Sequence, residues 1–218
     1  MTLTRAIGLS CNKVIRLIVR GLALSKIHPN VLTFIGLVIN IVAAALLAVG
    51  RFRAAGFVIL GAGLFDMVDG RVARETNQVT RFGGFFDSVL DRYSDIALLI
   101  GLLVYYGSIN RPWYVVLTAV VMAASVMTSY ARARAENTIP SCKVGFMERP
   151  ERIVLLIIGA LFDRMAPVLW VIAVLGNITV IHRMAFTYQE AKRLEDAQLR
   201  AVTNPPESRE PSRTPPCV

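Results

Sequence analysis

Apolar residues fall in six blocks along the chain, at 31–49, 54–65, 96–106, 113–130, 153–162 and 166–181. The first is long enough to cross a hydrocarbon core, for which about 20 apolar residues suffice. Three others are too short alone, so their helices must extend into polar flanks: the second through Asp66, the third back through Asp87, the fifth back towards Glu148. The pattern predicts an all-α integral membrane protein with six transmembrane helices, and it carries charged helical turns to membrane depth. Ahead of these blocks, Ile7, Val14, Ile15, Ile18 and Leu22 share one side of a helical stretch whose other positions include Arg5, Lys13, Arg16 and Arg20. That is the pattern of an amphipathic interfacial helix rather than a cleaved signal. The expected organisation is an interfacial helix over 1–28, a six-helix transmembrane domain over 29–188, and a polar, disordered tail over 189–218 rich in Pro, Ser and Thr.

A hydrophobic content of 55% agrees with lipid as the solvent. The net charge of +9 does not indicate nucleic acid, because the basic residues flank apolar blocks instead of interleaving with aromatics in a soluble module. Twenty of the 24 Lys and Arg residues lie on the side shared by both termini, with only Arg51, Arg53, Arg111 and Arg164 opposite. Under the positive-inside rule the rich side is cytoplasmic, and the polar helix extensions open onto it. The expected location is therefore the cytoplasmic (inner) membrane, with both termini and the site on the cytoplasmic side. Cys11, Cys142 and Cys217 are too few and too scattered for a disulfide framework or a zinc site.

The polar extensions carry the candidate chemistry, in the stretch "DMVDGRVARETNQVTRFGGFFDSVLD" from Asp66 to Asp91. Asp66 and Asp69 are three apart and Asp87 and Asp91 four apart, so each pair occupies one face of its helix. Four carboxylates converge if these two helices pack antiparallel, and at membrane depth such charge requires cations; oxygen ligands select hard ions such as Mg²⁺ or Mn²⁺. Gly70 and Ala73 leave the adjoining face nearly bare, and Arg74 places a guanidinium where phosphate oxygens would lie. A cation pair, a small-residue face and an arginine together describe a diphosphate site. Helix capping or surface ion pairing accounts for any one of these aspartates but not for all four.

The same residues fill D-x2-D-G-x2-A-R-x8-G-x3-D-x3-D through Asp66, Asp69, Gly70, Ala73, Arg74, Gly83, Asp87 and Asp91. In this the chain resembles the CDP-alcohol phosphotransferase family, a likeness that extends over residues 5–190. The resemblance implies that Asp66, Asp69 and Asp87 bind two divalent ions, Mg²⁺ or Mn²⁺. It implies that Asp91 completes the metal site and acts as general base, and that Asp66, Asp69, Gly70, Ala73 and Arg74 contact the CDP portion of CDP-diacylglycerol. The products would be CMP and a phosphodiester lipid, and the enzyme would be a homodimer among membrane lipids. Upstream, "HPNVLT" is similar to the family's Pro-Asn element, which makes Asn30 and Thr33 secondary nucleotide contacts, although Pro29 and Asn30 read equally well as a plain helix start; Thr76 and Thr80, flanking the loop between the two acidic helices, are candidates of the same kind.

A second basic cluster, Arg132, Arg134, Lys143, Arg149 and Arg152, with Arg183 beyond it, sits at the cytoplasmic helix ends. Arg132, Lys143, Arg152 and Arg183 are the candidates for holding the phosphate of a polar acceptor, while Arg134 and Arg149 read equally well as anchors to anionic headgroups. "SYARARAE" and "KVGFMERPER" look most like the branch that makes phosphatidylinositol phosphate or archaetidylinositol phosphate, which favours inositol phosphate as acceptor. Glycerol 3-phosphate carries the same phosphate and is the alternative. Two rivals of other classes are a prenyltransferase-like diphosphate enzyme, whose acidic motifs are denser, and an ion transporter, for which no internal repeat or broken-helix pair is visible.

Overall fold

The structure, a computed structural model, describes residues 29–75 and 80–203, with side chains over 30–66 and 80–199. The interfacial helix expected over 1–28, Thr76 and residues 204–218 lie outside the described residues, as do the side chains of Asp69, Ala73 and Arg74 and the surroundings of Gly70. Six helices follow one another: α1 Pro29–Ala48, α2 Phe52–Glu75, α3 Arg81–Ser108, α4 Pro112–Ala135, α5 Arg149–Leu161 and α6 Met165–Thr203. Their closely packed pairs form a closed ring in the order α1, α2, α5, α6, α4, α3. Leu47, Ile59, Leu102, Val121, Leu156 and Leu169, one from each helix, are buried together in a single apolar core.

The helices pair into three tight hairpins, α1/α2, α3/α4 and α5/α6. Each turn is closed in the same way, by a residue in the left-handed region: Gly50 (φ 76°), Asn110 (φ 53°) and Asp163 (φ 54°). The next residue is always an arginine, and its N–H reaches back to the helix: Arg51 to Leu46 O at 2.9 Å, Arg111 to Tyr106 O at 2.9 Å and Arg164 to Gly159 O at 2.8 Å. These are Schellman closures, which satisfy the last carbonyls of α1, α3 and α5 in three-residue connections. The remaining described connection, between α4 and α5, is longer and lies at the other end of the ring with the break between α2 and α3.

Among the described residues three helices are long and apolar enough to cross a membrane, Asn30–Ala48, Pro112–Ala135 and Met165–Leu199, and only 33%, 33% and 39% of an 18-residue apolar stretch in each is buried inside the protein. Their outer faces present Phe34, Val38 and Ile41 on α1, Val116 and Val120 on α4, and Trp170, Val174 and Ile178 on α6. Contiguous apolar surface of this extent suits hydrocarbon rather than water. Inside the ring small residues let helices approach closely. A Cβ added at Gly101 of α3 would collide with the carbonyl of Ala44 on α1, so the two backbones touch there.

Two expectations are corrected. The sequence reading begins a disordered tail at Gln189, but α6 continues unbroken to Thr203. Residues 189–203 contain no Gly or Pro and are rich in Ala, Glu, Lys, Leu and Arg, so helix propensity carries the segment until Asn204 and Pro205; an ion pair at 3.2 Å joins Glu190 to Arg193 on it. The acidic helices α2 and α3 are also not a closely packed pair among the described residues. α1 packs against both of them, and α5 packs on α2.

Candidate active site

The open end of the ring gathers the charged turns. Thr80 caps α3, its Oγ1 accepting from Gly83 N at 2.9 Å, and Asn30 Oδ1 lies next to Gly83, 3.4 Å from where a Cβ would stand. Thus Asn30, Thr80 and Gly83 meet at the mouth between α1 and α3. Thr33 lies one helical turn further along α1. Gly36, one turn beyond Thr33, makes room for an acidic neighbour: a Cβ there would stand 2.9 Å from Asp66 Oδ1. The absent side chain lets the Asp66 carboxylate rest against α1.

From α3, Asp87, Asp91 and Asp95 recur every fourth residue on one face, passing from exposed through half-buried to buried. α5 answers them with two arginines. Arg149 Nη2 lies 3.2 Å from Asp66 Oδ2 and 3.0 Å from Asp91 Oδ1, and its Nε is 3.5 Å from Asp95 Oδ1. One turn on, Arg152 donates through Nη2 to Asp95 Oδ2. Carboxylates from two helices therefore share one cationic nitrogen supplied by a third.

Two of the four motif aspartates, Asp66 and Asp91, are brought together in this way. Asp87 sits a turn away, exposed, and the side chain of Asp69 is outside the described residues. Among the described residues no three acidic, His or Cys side chains cluster closely enough to hold a metal ion by themselves. The donor chemistry still fits a hard cation. Asp66 and Asp91 each present an oxygen to the same positive charge, at 3.2 and 3.0 Å, and Asp95 Oδ1 is buried with no hydrogen-bond partner among the described residues.

A cavity of about 850 Å³ opens beside this cluster between α3, α4, the start of α5 and Arg183 in the middle of α6. Phe85, Tyr93 and Val126 form part of its apolar wall, while Arg92, Arg132, Arg149 and Arg183 line it with Glu136 and Glu148. Arg132 pairs with Glu136 and Glu148, each at 3.1 Å. Arg183, 3% exposed, donates Nε to Val144 O at 2.8 Å, Nη1 to Thr128 O at 2.6 Å and Nη2 to Glu148 Oε1 at 3.0 Å. It thereby ties the connection between α4 and α5 to α6, where Thr179 Oγ1 also accepts from Phe146 N and Met147 N. Of the four acceptor candidates, Arg132 and Arg183 line the cavity, whereas Arg152 is buried on Asp95 and Lys143 is exposed, neither being among the lining residues.

Sequence reasoning missed Asp95, and it left Arg149 between two readings. The signal for Asp95 was its place one turn beyond Asp91 on the same face. Arg149 belonged to a visible basic cluster, but nothing local to it indicated partners 83 and 58 residues away.

Comparison with known proteins gives a consistent result. The model of the CDP-alcohol phosphatidyltransferase family matches residues 26–189. The archaetidylinositol phosphate synthase of Pyrococcus horikoshii is 37% identical over 177 residues, covering 81% of this chain and 90% of the relative. The phosphatidylinositol phosphate synthase of Mycobacterium tuberculosis is 36% identical over 179 residues, covering 77% and 82%. Among solved structures, the Mycobacterium tuberculosis phosphatidylinositol phosphate synthase with CDP-DAG bound superposes with a TM-score of 0.75 at 31% identity, over 81% of this chain and 94% of that one. The same enzyme in complex with manganese and citrate gives a TM-score of 0.74 at 33% identity, over 80% and 88%.

Proposed function

The chain belongs to the CDP-alcohol phosphatidyltransferase family, and from that premise we propose that it transfers a phosphatidyl group from CDP-diacylglycerol to a hydroxyl of inositol phosphate, releasing CMP. The observation that carries this reading is the meeting of Asp66 and Asp91 on a single cationic nitrogen beside an arginine-lined cavity. Asp66, Asp69, Asp87 and Asp91 would hold two divalent ions, Mg²⁺ or Mn²⁺, which supply charge neutralisation at the diphosphate. Manganese in a relative's structure supports that assignment.

The chain's own residues divide the remaining work. Asn30, Thr33 and Thr80 border the mouth and, with Gly70, Ala73 and Arg74, contact the CDP moiety. Arg132 and Arg183 face the acceptor's phosphate, with Lys143 nearer the exposed rim and Arg152 acting on Asp95 from inside. Asp91 accepts the proton of the attacking hydroxyl, whose oxygen bonds to the phosphatidyl phosphorus as the P–O bond to CMP breaks. The apolar outer faces and the distribution of basic residues support six spans, with termini and site at the cytoplasmic face of the cytoplasmic membrane. A homodimer is part of the same reading.

Purified protein in detergent, supplied with CDP-diacylglycerol, Mg²⁺ or Mn²⁺ and a panel of acceptors, tests the proposal through CMP release. Inositol phosphate is expected to be the best acceptor. Preference for glycerol 3-phosphate would change the acceptor, and release of inorganic diphosphate from an isoprenoid donor without CMP would overturn the reaction class.

A further inference from the structure

Arg149 belongs to two sites at once. Its Nη2 is held between Asp66 and Asp91, and its side chain is also part of the cavity wall that Arg132 and Arg183 line. The backbone at this point is fixed, because Glu148 and Glu151 form a capping box and Pro150 occupies the first turn of α5. The side chain is held by carboxylates alone: Nη1 and Nη2 donate to Asp66 Oδ2 at 3.3 and 3.2 Å, Nη2 lies 3.0 Å from Asp91 Oδ1, and Nε stands 3.5 Å from Asp95 Oδ1 with no hydrogen-bond partner among the described residues. It is 26% exposed. Arg183, by contrast, places all three of its nitrogens on acceptors from the 128–148 region. Arg149 is held chiefly by the charge of the aspartates, and that hold weakens when another cation neutralises them.

The charge of the cavity gives the arginine a second place to go. Arg92, Arg132 and Arg183 face Glu136 and Glu148 there, which leaves a single net positive charge. A phosphate monoester carries about −1.5 to −2 at neutral pH. Arg149 supplies the balancing charge once Asp66 and Asp91 release it, and turning about its side-chain bonds keeps its guanidinium within the same wall.

We propose that Arg149 is a shared counterion that competes with a divalent cation for Asp66 and Asp91 and turns into the cavity when the cation takes them. Cation binding then primes the cavity for an anion, and by linkage an anion in the cavity tightens cation binding. This rests on Asp66 and Asp91 being metal ligands, and it adds an order to the reaction: the acceptor's phosphate is gripped fully only after the metal is in place.

The test measures Mn²⁺ affinity of the full chain in detergent by electron paramagnetic resonance, with sulfate as the anion probe and chloride at matched ionic strength as control. Sulfate should tighten Mn²⁺ binding severalfold in the unsubstituted chain. Arg149→Gln, freed of the competing charge about 3 Å from the ligand oxygens, should bind Mn²⁺ about tenfold tighter and lose most of the sulfate effect. Arg149→Lys keeps the charge and should stay near the unsubstituted affinity. Equal or weaker Mn²⁺ binding in Arg149→Gln, or a sulfate effect of the same size there, overturns the proposal. Should that variant not fold, the unsubstituted chain still decides: Mn²⁺ binding without any sulfate effect overturns the counterion role alone. A folded chain that binds no Mn²⁺ overturns the metal-ligand reading and the counterion role together.

Discussion

Asp95 and Arg152 are almost wholly buried, at 4% and 2% exposure, and they join α3 to α5 through a charge-assisted hydrogen bond. Asp95→Asn keeps the shape of the side chain but removes its charge. Arg152 is then left buried against a neutral group, and Arg149 Nε loses the carboxylate that stands 3.5 Å away. Removing one partner of a buried ion pair costs about 3–5 kcal/mol, because the other charge stays desolvated. At about 2–4 °C per kcal/mol for a chain of this size, the midpoint of thermal unfolding should fall by roughly 10 °C. The thiol of Cys142 is buried, so a thiol-reactive dye reports unfolding once Cys11 and Cys217 are replaced by Ser. Replacing both partners, as in Asp95→Leu with Arg152→Met, removes the stranded charge as well and should return most of the lost stability. A melting point for Asp95→Asn within about 2 °C of the parent, or simple additivity of the two single effects in the double variant, would refute the reasoning.

Three further outcomes are expected. Asp91→Asn should abolish CMP release while leaving the melting point within a few degrees, and full turnover would remove Asp91 as the base. Arg183→Ala deletes three hydrogen bonds to the 128–148 region, so it should raise the acceptor KM by about tenfold or more and expose the loop before α5 to protease; an unchanged acceptor KM would exclude it from the phosphate pocket. Gly101→Leu should prevent α1 and α3 from docking and abolish recovery of folded protein. Gly107→Ala, where an added Cβ meets nothing within 4 Å, serves as the tolerated control in the same expression and gel-filtration test.

Much of this arrangement was readable from residue order. The apolar blocks placed the helices, and the extension of the short blocks through Asp66, Asp87 and Glu148 follows from length alone: α2 runs to Glu75, α3 starts at Arg81 and α5 at Arg149. The periodicity of Asp87 and Asp91 gave the face on which chemistry would sit. What escaped depends on tertiary placement. Neighbouring acidic helices in sequence were expected to pack on each other, yet among the described residues α1 packs against both of them and Arg149 of α5 bridges Asp66 and Asp91. The length of α6 was underestimated because charged residues were read as disorder, although their helix propensity supports the helix that runs to Thr203. The near-complete burial of Arg152 and Arg183 could not be seen in a basic cluster whose members all look solvent-bound.

The three matched turns fix one end of each hairpin and leave the far ends to be brought into register. Asp66 comes from the first hairpin, Asp91 and Asp95 from the second, Arg149 and Arg152 from the third. No one or two of these units contain the full set of charges, so the ion pairs of Arg149 and Arg152 form only when the last unit has docked. Until then the carboxylates of the first two hairpins lack their protein counterions, and the charged cluster works as a fastener that closes once all three are in register.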